Sequence, residues 1–566
     1  MKNFPYFPSR AVHGLDGLWT CAFLGSEIDP ETICLDSIAW TDRIAMPGVF
    51  DSCPAYVKKR GCFALRYDLT LKNPAAAHRL DFGGLGLWAR VFVDGVDCGT
   101  CQTPYAPWSV EVPPSTEARR EIIVLIDNRL DATRVPLFDP FFDFFGYGGL
   151  YRSVYWHELP ALSIRRAVVR TLDLDGQVEI DVRLCSKTDL PESVDLAVSF
   201  DGGEARTFAG VAVEGGRARI RLAVPQARIW SPETPHLHEV RVALEGDAIV
   251  ERFGIRTVET RKGQILLNGQ PVKLLGYNRH EAHPQFGPAL PAQQLIHDLQ
   301  LLRQLGCNFV RGSHYPQDQR FLDLCDELGF LVFEEALGWG TPVDHLKNER
   351  FNDLQEVQTR AMVRTSINHP SVILWGFLNE CASDQPESMP PIRRLARAIR
   401  EEDDSRLVTF ATHKPFGDRN LDVVDVISVN QYPGWYPEDR NKERPLNEIN
   451  PLIDRLLDHF AKQGFEDKPF IISEMGAGAI YGWRDPLEAH WSEEYQMAYL
   501  ETLARRVVDD DRIAGVAIWQ FCDGRTYASG YALGRPRAFN NKGTFDEYRR
   551  PKMAAAAVRA IFTGQR

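Results

Sequence analysis

The N-terminal part of the chain consists of short stretches in which apolar and polar side chains alternate, separated by turn residues. Clear examples are 63–71, 89–93 and 122–126. Because successive side chains of a strand point to opposite faces, period-two alternation broken by turns such as Asp94-Gly95 predicts antiparallel strands. The pattern continues in a shorter unit, of the length that a seven-stranded sandwich requires. We therefore predict one β domain over 1–160 and a β-sandwich over 161–259.

Beyond residue 259 the pattern changes, because apolar strands now alternate with segments of helical periodicity. In 292–305, for example, Leu295, Leu299 and Leu302 fall on one face of a helix. Such alternation is typical of a parallel sheet. Candidate strands lie at 272–277, 308–313, 330–335, 372–378, 407–412, 426–431, 469–474 and 516–521. Eight strands in roughly 300 residues predict a (β/α)8 TIM barrel over 260–566.

Polar side chains stand at the carboxyl ends of these barrel strands, the rim where such barrels carry their active sites. His280 follows the first strand and His314 the second, Asn379 and Glu380 end the fourth, and Glu474 ends the seventh. Because the ends of parallel strands meet at one rim, we expect these groups to converge on one pocket.

Composition narrows the class of protein. Of 566 residues, 44% are hydrophobic and 25% charged, as in globular proteins, and no stretch reaches the ~18 uninterrupted apolar residues of a membrane helix. The net charge of −12 disfavours a nucleic-acid partner, since phosphate contacts require clustered Lys and Arg. We expect a protein that neither spans a membrane nor binds nucleic acid.

The cysteines and the N-terminal segment bear on the compartment. Eleven cysteines, an odd number without regular spacing, favour a reducing environment over a disulfide framework. Pro5, Pro8 and Arg10 interrupt the segment in which an export signal would need an apolar run. We therefore expect a cytoplasmic protein. Cys98 and Cys101 form a lone C-x-x-C without the second pair of a zinc site, so no metal is expected there.

Two glutamates at strand ends match the needs of glycosidic cleavage. The reaction requires one carboxylic acid to protonate the departing oxygen and a second carboxyl on the other side of the sugar ring. Glu380 ends the apolar run 372–378, where burial would raise its pKa and keep it protonated. Glu474 follows Ser473, and we expect it to lie near donors that keep it ionised. The alternative for either glutamate is a strand-end ion pair.

Other motifs leave alternatives open. His280 and His314 are candidates for binding sugar hydroxyls, but each could equally be a hydrogen-bonded core histidine. Gly146-Tyr-Gly-Gly149 lacks the strand-to-helix context of a nucleotide-binding loop. No order of residues typical of a Ser-His-Asp triad competes with the two glutamates.

Motifs distributed along the chain resemble those of family 2 of the glycoside hydrolases, which contains β-galactosidases, β-glucuronidases and β-mannosidases. The resemblance extends almost from end to end. Its elements are Leu15–Trp19, Gly148–Arg152, Phe253–Arg256, Gly276–Glu281, Ser313–Pro316, His369–Trp375 with Asn379-Glu380, and Ile472–Gly476.

The resemblance implies a jelly-roll domain, an immunoglobulin-like sandwich and a catalytic TIM barrel, in a retaining exo-acting β-glycosidase that needs no cofactor. It implies that Glu380 is the acid/base and Glu474 the nucleophile. Asn379 matches the group that holds the sugar 2-hydroxyl, and Trp519 the aromatic floor of the subsite. The sugar-lining positions matched are His280, His314, Asp143, Tyr432 and Tyr436. Family members also form homo-oligomers, so we expect a dimer or a tetramer.

Departures within the resemblance bear on the substrate. Glu334-Glu335 lacks the histidine that accompanies the magnesium-binding glutamate of large β-galactosidases, so no metal ligand is expected there. Asn540-Asn-Lys542-Gly, in contrast, resembles the Asn-x-Lys-Gly motif with which β-glucuronidases hold the sugar carboxylate. A uronic acid entering a pocket of glutamates needs such a cation and amide. Arg535 and Arg537 could add charge, although loop arginines are usually solvated.

Because the segment 534–539 departs from the common glucuronidase pattern, the C4 stereochemistry stays open. Our interpretation is a β-glucuronidase or close β-hexuronidase, with β-galacturonidase second and β-galactosidase third. The alternative from another class is a carbohydrate-binding protein whose barrel has lost its chemistry.

Overall fold

The computed structural model describes residues 4–139, 143–436, 445–528 and 534–565. The chain forms a jelly-roll β domain, an immunoglobulin-like β-sandwich and a parallel barrel, in that order. The last strand of the first unit ends at Leu159 and the first strand of the second begins at Leu162. The domain limits 1–160, 161–259 and 260–566 remain our proposal.

The first domain packs a four-stranded sheet (order β1-β13-β6-β10) against a six-stranded one (β3-β2-β5-β11-β8-β9), and a small sheet (β4-β12-β7) completes it. Apolar side chains such as Trp19, Leu65 and Trp156 fill the space between the sheets. Its strands are β1 Val12–Gly14, β2 Gly17–Gly25, β3 Asp42–Met46, β4 Gly48–Val49, β5 Cys62–Thr70, β6 Ala77–Phe82, β7 Leu85–Gly86, β8 Trp88–Val93, β9 Val96–Cys101, β10 Trp108–Val112, β11 Arg119–Asp127, β12 Gly149–Leu150 and β13 Val154–Leu159.

The second domain folds seven strands in the order β14-β15-β18-β17-β16-β19-β20, with the two end strands β14 and β20 in contact. Alternate residues, such as Val178, Ile180 and Val182, point into its core. Its strands are β14 Leu162–Thr171, β15 Gln177–Ser186, β16 Ser193–Phe200, β17 Arg206–Glu214, β18 Arg217–Ala223, β19 His238–Leu244 and β20 Asp247–Phe253.

The third unit begins with a three-stranded sheet and continues into a closed barrel of eight parallel strands, followed by a short hairpin. The first sheet comprises β21 Val258–Arg261, β22 Gln264–Leu267 and β23 Gln270–Val272. The barrel strands are β24 Leu274–Arg279, β25 Phe309–Gly312, β26 Leu331–Glu335, β27 Val372–Asn379, β28 Leu407–Thr412, β29 Ile427–Asn430, β30 Phe470–Met475 and β31 Gly515–Ile518, and the hairpin is β32 Gly524–Arg525 with β33 Phe539–Asn540.

Helices surround the barrel and cover its apolar strands. As the sequence predicts, Leu295, Leu299 and Leu302 are buried on one face of the first helix. None of the helices in the described ranges is both long and apolar enough to cross a bilayer. The helices are α1 Ala292–Gln304, α2 Gln319–Leu328, α3 Val343–Leu346, α4 Glu349–Ser366, α5 Met389–Glu402, α6 Ile449–Lys462, α7 Glu493–Asp509 and α8 Met553–Phe562.

The predicted barrel is confirmed, and all eight candidate strands belong to it. The strands are recognisable because they are buried on both faces and therefore read as continuous apolar runs. Cys98 and Cys101 lie on β9 as free thiols.

A buried ion pair joins the jelly-roll domain to the barrel. Arg152, just after β12, donates from Nη2 to Glu281 Oε2 at 2.9 Å and to the carbonyl of Pro316 at 2.9 Å. The exposed fractions of the Arg152 and Glu281 side chains are 3% and 0%. The pair therefore fixes the first domain against the loops that follow β24 and β25.

Replacing Arg152 with Met leaves the Glu281 carboxylate buried without its cation, which costs about 3–5 kcal/mol. We expect the free energy of unfolding in urea, followed by fluorescence and circular dichroism, to fall by that amount. The matched control is Arg119→Met, because Arg119 pairs with Asp68 at 3.1 Å in an exposed position and should cost less than about 1 kcal/mol. Equal losses in the two variants would show that the domain contact does not depend on Arg152.

Candidate active site

The β27 strand delivers Asn379 and Glu380 to the carboxyl-end rim of the barrel. Glu380 has a φ of 53°, in the left-handed region that side chains other than glycine seldom adopt and that is concentrated at functional sites. Asn430 Nδ2, at the end of β29, donates to Glu380 Oε1 at 3.0 Å and to Asn379 Oδ1 at 2.9 Å. Burial raises the pKa of the Glu380 carboxyl to about 7, as the sequence predicts.

Glu474, in β30, receives hydrogen bonds on both carboxylate oxygens. Arg311 Nη1 donates to Oε1 at 2.8 Å, and the Tyr432 hydroxyl donates to Oε2 at 2.7 Å. The sequence predicts donors around this carboxylate but does not identify Arg311 as one of them. Their effect differs from the prediction, however, because burial and the nearby Glu380 charge outweigh them and raise the pKa of Glu474 well above its usual range.

Both catalytic candidates therefore bind protons more tightly in the open pocket than in water. Two buried carboxyls close enough to interact do not both ionise easily, and their protons belong to the pair. The donors favour a charge on Glu474 and a proton on Glu380, because Glu380 accepts from the neutral amide of Asn430 while Glu474 accepts from the guanidinium of Arg311.

Arg311, in the middle of β25, is the residue that the sequence analysis missed. Its side chain is fully buried and donates to Glu474, to both oxygens of Glu335 at 3.0 and 2.9 Å, and to Asn379 Oδ1 at 2.8 Å. It also donates to Asn278 Oδ1 at 3.0 Å. The sequence does contain a signal for this role, because an arginine inside the apolar strand Phe309–Gly312 needs buried carboxylates as partners.

The two histidines and Trp519 form one wall of the pocket. The His314 ring stacks on Trp519 at 5.2 Å between centroids, and His280 meets Trp519 edge to face at 5.5 Å. Burial lowers the pKa of His280 to about 3 and that of His314 well below its usual range. Both imidazoles are therefore neutral at physiological pH. Neither Nε2 has a hydrogen-bond partner among the residues that the structure describes.

Asp143 reaches the barrel from the jelly-roll domain. Its Oδ2 lies 3.8 Å from His314 Nε2, and its Oδ1 lies 3.2 Å from Arg535 Nη2. Burial acts to raise the pKa of the Asp143 carboxyl, but Arg535 and the two imidazoles hold it below its usual range. The pocket is thus composite, and Arg535 is not a solvated loop residue. Arg537 instead points to Glu547, at 2.7 Å.

Lys542 supplies a buried ammonium on the opposite side. Its Nζ donates to the Tyr436 hydroxyl at 2.7 Å and lies 5.3 Å from the ring centroid of Tyr432. Burial, together with the nearby Arg535, lowers the pKa of Lys542 to about 7. The Asn540 Oδ1 accepts from the Lys542 backbone N–H at 3.3 Å, which shapes the turn after β33.

The structure thus brings the predicted site residues to one rim: Asp143, His280, His314, Asn379, Glu380, Tyr432, Tyr436, Glu474, Trp519, Asn540 and Lys542. The pocket combines two glutamates of raised pKa with two buried cations, an arrangement that can exchange a proton with a leaving group and bind an anion. The Glu335 carboxylate pairs with Arg311 and also contacts His314 Nδ1, at 3.2 Å.

Comparison with known proteins agrees with this architecture. Residues 258–565 match the model of the TIM barrel domain of glycosyl hydrolases family 2, and residues 162–256 match a second model of glycosyl hydrolases family 2. The barrel match alone covers more than half of the chain. This protein belongs to glycosyl hydrolases family 2, and within that family it is a β-glucuronidase-like glycosidase.

Its relatives include enzymes of two uronide specificities. The chain is 30% identical to the β-glucuronidase of Chlorocebus aethiops, over 85% of this chain and 78% of that one. It is 33% identical to the Mus musculus β-glucuronidase, where the match spans 74% of this chain but only 64% of that protein. A β-galacturonidase from Eisenbergiella tayi, solved with galacturonate bound, superposes with a TM-score of 0.89 at 32% identity and covers 100% of this chain and 99% of that one.

Proposed function

We propose that this protein is a retaining, exo-acting β-hexuronidase that removes terminal β-D-glucuronic acid. The observation that carries the proposal is the buried ammonium of Lys542 in the same pocket as Glu380 and Glu474, with Arg535 beside it. The pKa of Lys542 is lowered although carboxylates lie nearby, so these carboxylates do not fully offset the burial of the charge, and a further anion in the pocket would do so. The carboxylate of a uronic acid is such an anion, and the β-glucuronidase relatives support the choice.

In the first step Glu380 donates its proton to the glycosidic oxygen while Glu474 attacks the anomeric carbon. The C–O bond to the leaving group breaks, and a glycosyl ester forms on Glu474. Arg311 and Tyr432 hold the attacking carboxylate in position through their hydrogen bonds. In the second step the ionised Glu380 takes a proton from water, which attacks the ester and releases the sugar with its configuration retained.

Asn379 has one side-chain group available for the substrate. Its Oδ1 accepts from both Arg311 and Asn430, and its buried Nδ2 has no hydrogen-bond partner within the described part of the chain. We assign Nδ2 to the sugar 2-hydroxyl. Trp519, stacked with His314, forms the floor.

The C4 hydroxyl separates our first two candidates. β-Galacturonidase is the second candidate, because the chain resembles the Eisenbergiella tayi enzyme over its whole length. β-Galactosidase is third for two reasons. Glu335, at the position of the metal-binding motif of large β-galactosidases, is paired with Arg311, and the buried cations favour an anionic sugar. A carbohydrate-binding protein without turnover is the remaining alternative.

We further propose a cytoplasmic, homo-oligomeric enzyme. The eleven cysteines are all free thiols, and several, such as Cys307 and Cys325, are buried in the core of the barrel unit. This pattern is typical of a reducing compartment. The expectation of a dimer or tetramer rests on the family resemblance.

The first test compares initial rates on aryl β-D-glucuronide, β-D-galacturonide and β-D-galactoside, with and without chelator. We expect the glucuronide to be preferred, the galactoside to be the poorest, and chelator to have no effect. Proton NMR of the first-formed sugar should show the β anomer. An α anomer would exclude retention, and turnover of none of the three by native enzyme, with binding intact, would favour the carbohydrate-binding alternative.

Lys542→Met tests the carboxylate clamp, because Met keeps the volume and removes the charge. We expect kcat/KM on the uronide to fall by about 100-fold or more, the equivalent of a charge-assisted hydrogen bond of about 3 kcal/mol. The activity on the matching neutral glycoside should change far less. Arg537→Met is the control, since Arg537 lies on the same loop but pairs with Glu547. Equal losses on both substrates would refute the clamp.

The pH profile tests the role of Glu380. As burial raises its pKa to about 7 and the first step needs the protonated acid, kcat/KM should decline as the pH rises through about 7. In Glu380→Gln this basic limb should vanish, and the loss of rate should be larger for poor leaving groups than for activated aryl ones. An unchanged basic limb in Glu380→Gln would assign the titration to another group.

A further inference from the structure

A cluster of metal-ligating side chains lies on the histidine wall of the pocket. One carboxylate oxygen of Asp143 and one ring nitrogen each of His280 and His314 lie within 4.8 Å of one another. Two imidazoles and one carboxylate form a donor set that suits divalent transition metals, zinc above all.

The hydrogen bonds of the two imidazoles leave the nitrogens that face the cluster available. His314 Nδ1 lies 3.2 Å from Glu335 Oε2 and His280 Nδ1 lies 3.3 Å from the Tyr315 hydroxyl, while neither Nε2 has a hydrogen-bond partner in the described ranges. The tautomer with the proton on Nδ1 presents a lone pair at Nε2. His314 Nε2 faces the carboxylates of Asp143 and Glu474, at 3.8 and 3.7 Å, so its lone pair points into the pocket.

Each of the three candidate ligands has a partner that orients it. Glu335 holds His314 in the carboxylate–histidine arrangement that is typical of metal ligands, Arg535 holds Asp143 at 3.2 Å, and the Tyr315 hydroxyl lies 3.3 Å from His280 Nδ1.

The distances allow coordination with small adjustments. Ligands at 2.0–2.1 Å from a tetrahedral zinc ion lie roughly 3.3 Å apart. Asp143 Oδ2 and His314 Nε2 are 3.8 Å apart, and Glu474 Oε1 lies 3.7 Å from the same nitrogen. Side-chain rotation can therefore complete the set, and Glu474 is within reach as a fourth ligand.

A second cluster in the barrel unit provides a contrast. Asp323, Asp326 and His369 also lie close together, but both nitrogens of His369 are already bonded, to Asp326 Oδ2 at 2.6 Å and to Gln319 Oε1 at 3.2 Å. Burial acts to lower the pKa of His369, but Asp326 outweighs it and raises that pKa above the usual value. Both ring nitrogens thus face oxygen acceptors, and the imidazole offers no lone pair to a metal.

We propose that Asp143, His280 and His314 form an inhibitory binding site for a divalent transition metal, with zinc as the preferred ion, in the subsite that we assign to the sugar. The bound ion occupies the space of the glycoside and draws Glu474 away from the anomeric carbon. The enzyme is thereby coupled to the concentration of free zinc. The inhibitory part of this inference rests on the proposed function, whereas the metal site itself does not.

The test is a Co²⁺ titration of the full-length protein followed by visible absorption, with Zn²⁺ used to displace the cobalt. All measurements use a Cys34→Ser background, because Cys34 is an exposed thiol that could bind either ion. We expect one site with the spectrum of low-coordinate cobalt bound by nitrogen and oxygen. Affinity should fall by more than about 100-fold in His280→Gln and Asp143→Asn, beyond the 10–100-fold of outer-shell changes.

The control is His283→Gln, a histidine three positions beyond His280 that does not belong to the cluster, and its cobalt affinity should stay within about twofold. His280→Gln and Asp143→Asn are both measured, with folding checked by circular dichroism, so that a fold defect in one does not decide the result. A titration that is unchanged in both variants, or a spectrum of thiolate ligation alone, would overturn the metal site.

Inhibition kinetics distinguish a failure of the metal site from a failure of the proposed hexuronidase function. Zn²⁺ should raise the apparent KM for the aryl glycoside without changing kcat, and free hexuronate should weaken cobalt binding. Cobalt binding that depends on the three ligands in a protein without hexuronidase activity would support the metal site and refute the proposed function. Hexuronidase activity in a protein whose metal binding does not depend on the three ligands would support the proposed function and refute the metal site. Non-competitive inhibition by Zn²⁺ would overturn the placement of the ion in the sugar subsite.

Discussion

The buried guanidinium of Arg311 is the interaction around which the pocket is built. It donates to Glu474, Glu335 and Asn379 from the centre of a barrel strand. Burying either glutamate without a cation would cost several kcal/mol, so the arginine makes the acidic pocket possible. Since its fork is planar and rigid, it also fixes the angles at which strands β26, β27 and β30 present their side chains.

Arg311 does not offset the burial of every charged group in the pocket, however, and the pKa values of the other groups show this. Burial raises the pKa of Glu380 to about 7 and that of Glu474 well above its usual range, while it lowers the pKa of Lys542 to about 7. The protonation of each of these three groups therefore depends on any further charge that binds in the pocket. The uronate carboxylate that we propose beside Lys542 would favour the protonated ammonium, and the ammonium in turn would favour a charged Glu474.

The sequence was sufficient to predict the barrel because all eight strands are apolar runs of the right spacing, and strand ends such as Asn379-Glu380 then indicate the rim. It could not predict the partners of Arg311, since these lie on four other strands and the pairing depends on the closed barrel. Nor could it show that Arg535 contacts Asp143, residues 392 positions apart. The raised pKa of Glu474 could not be predicted either, because burial, which no local motif reveals, exceeds the effect of its donors.

The jelly-roll domain contributes a side chain to the pocket as well as supporting the architecture. Asp143 enters the pocket from a loop of this domain, and Arg152 of the same domain pairs with Glu281, the residue after His280. The position of Asp143 relative to His280 and His314 therefore depends on how the two domains are held together. Because a displacement of about 1 Å can cost two orders of magnitude in rate, the buried Arg152–Glu281 pair is a constraint on the subsite that we propose for the sugar. The stability of the domain interface and the geometry of the pocket are thus properties of the same contacts.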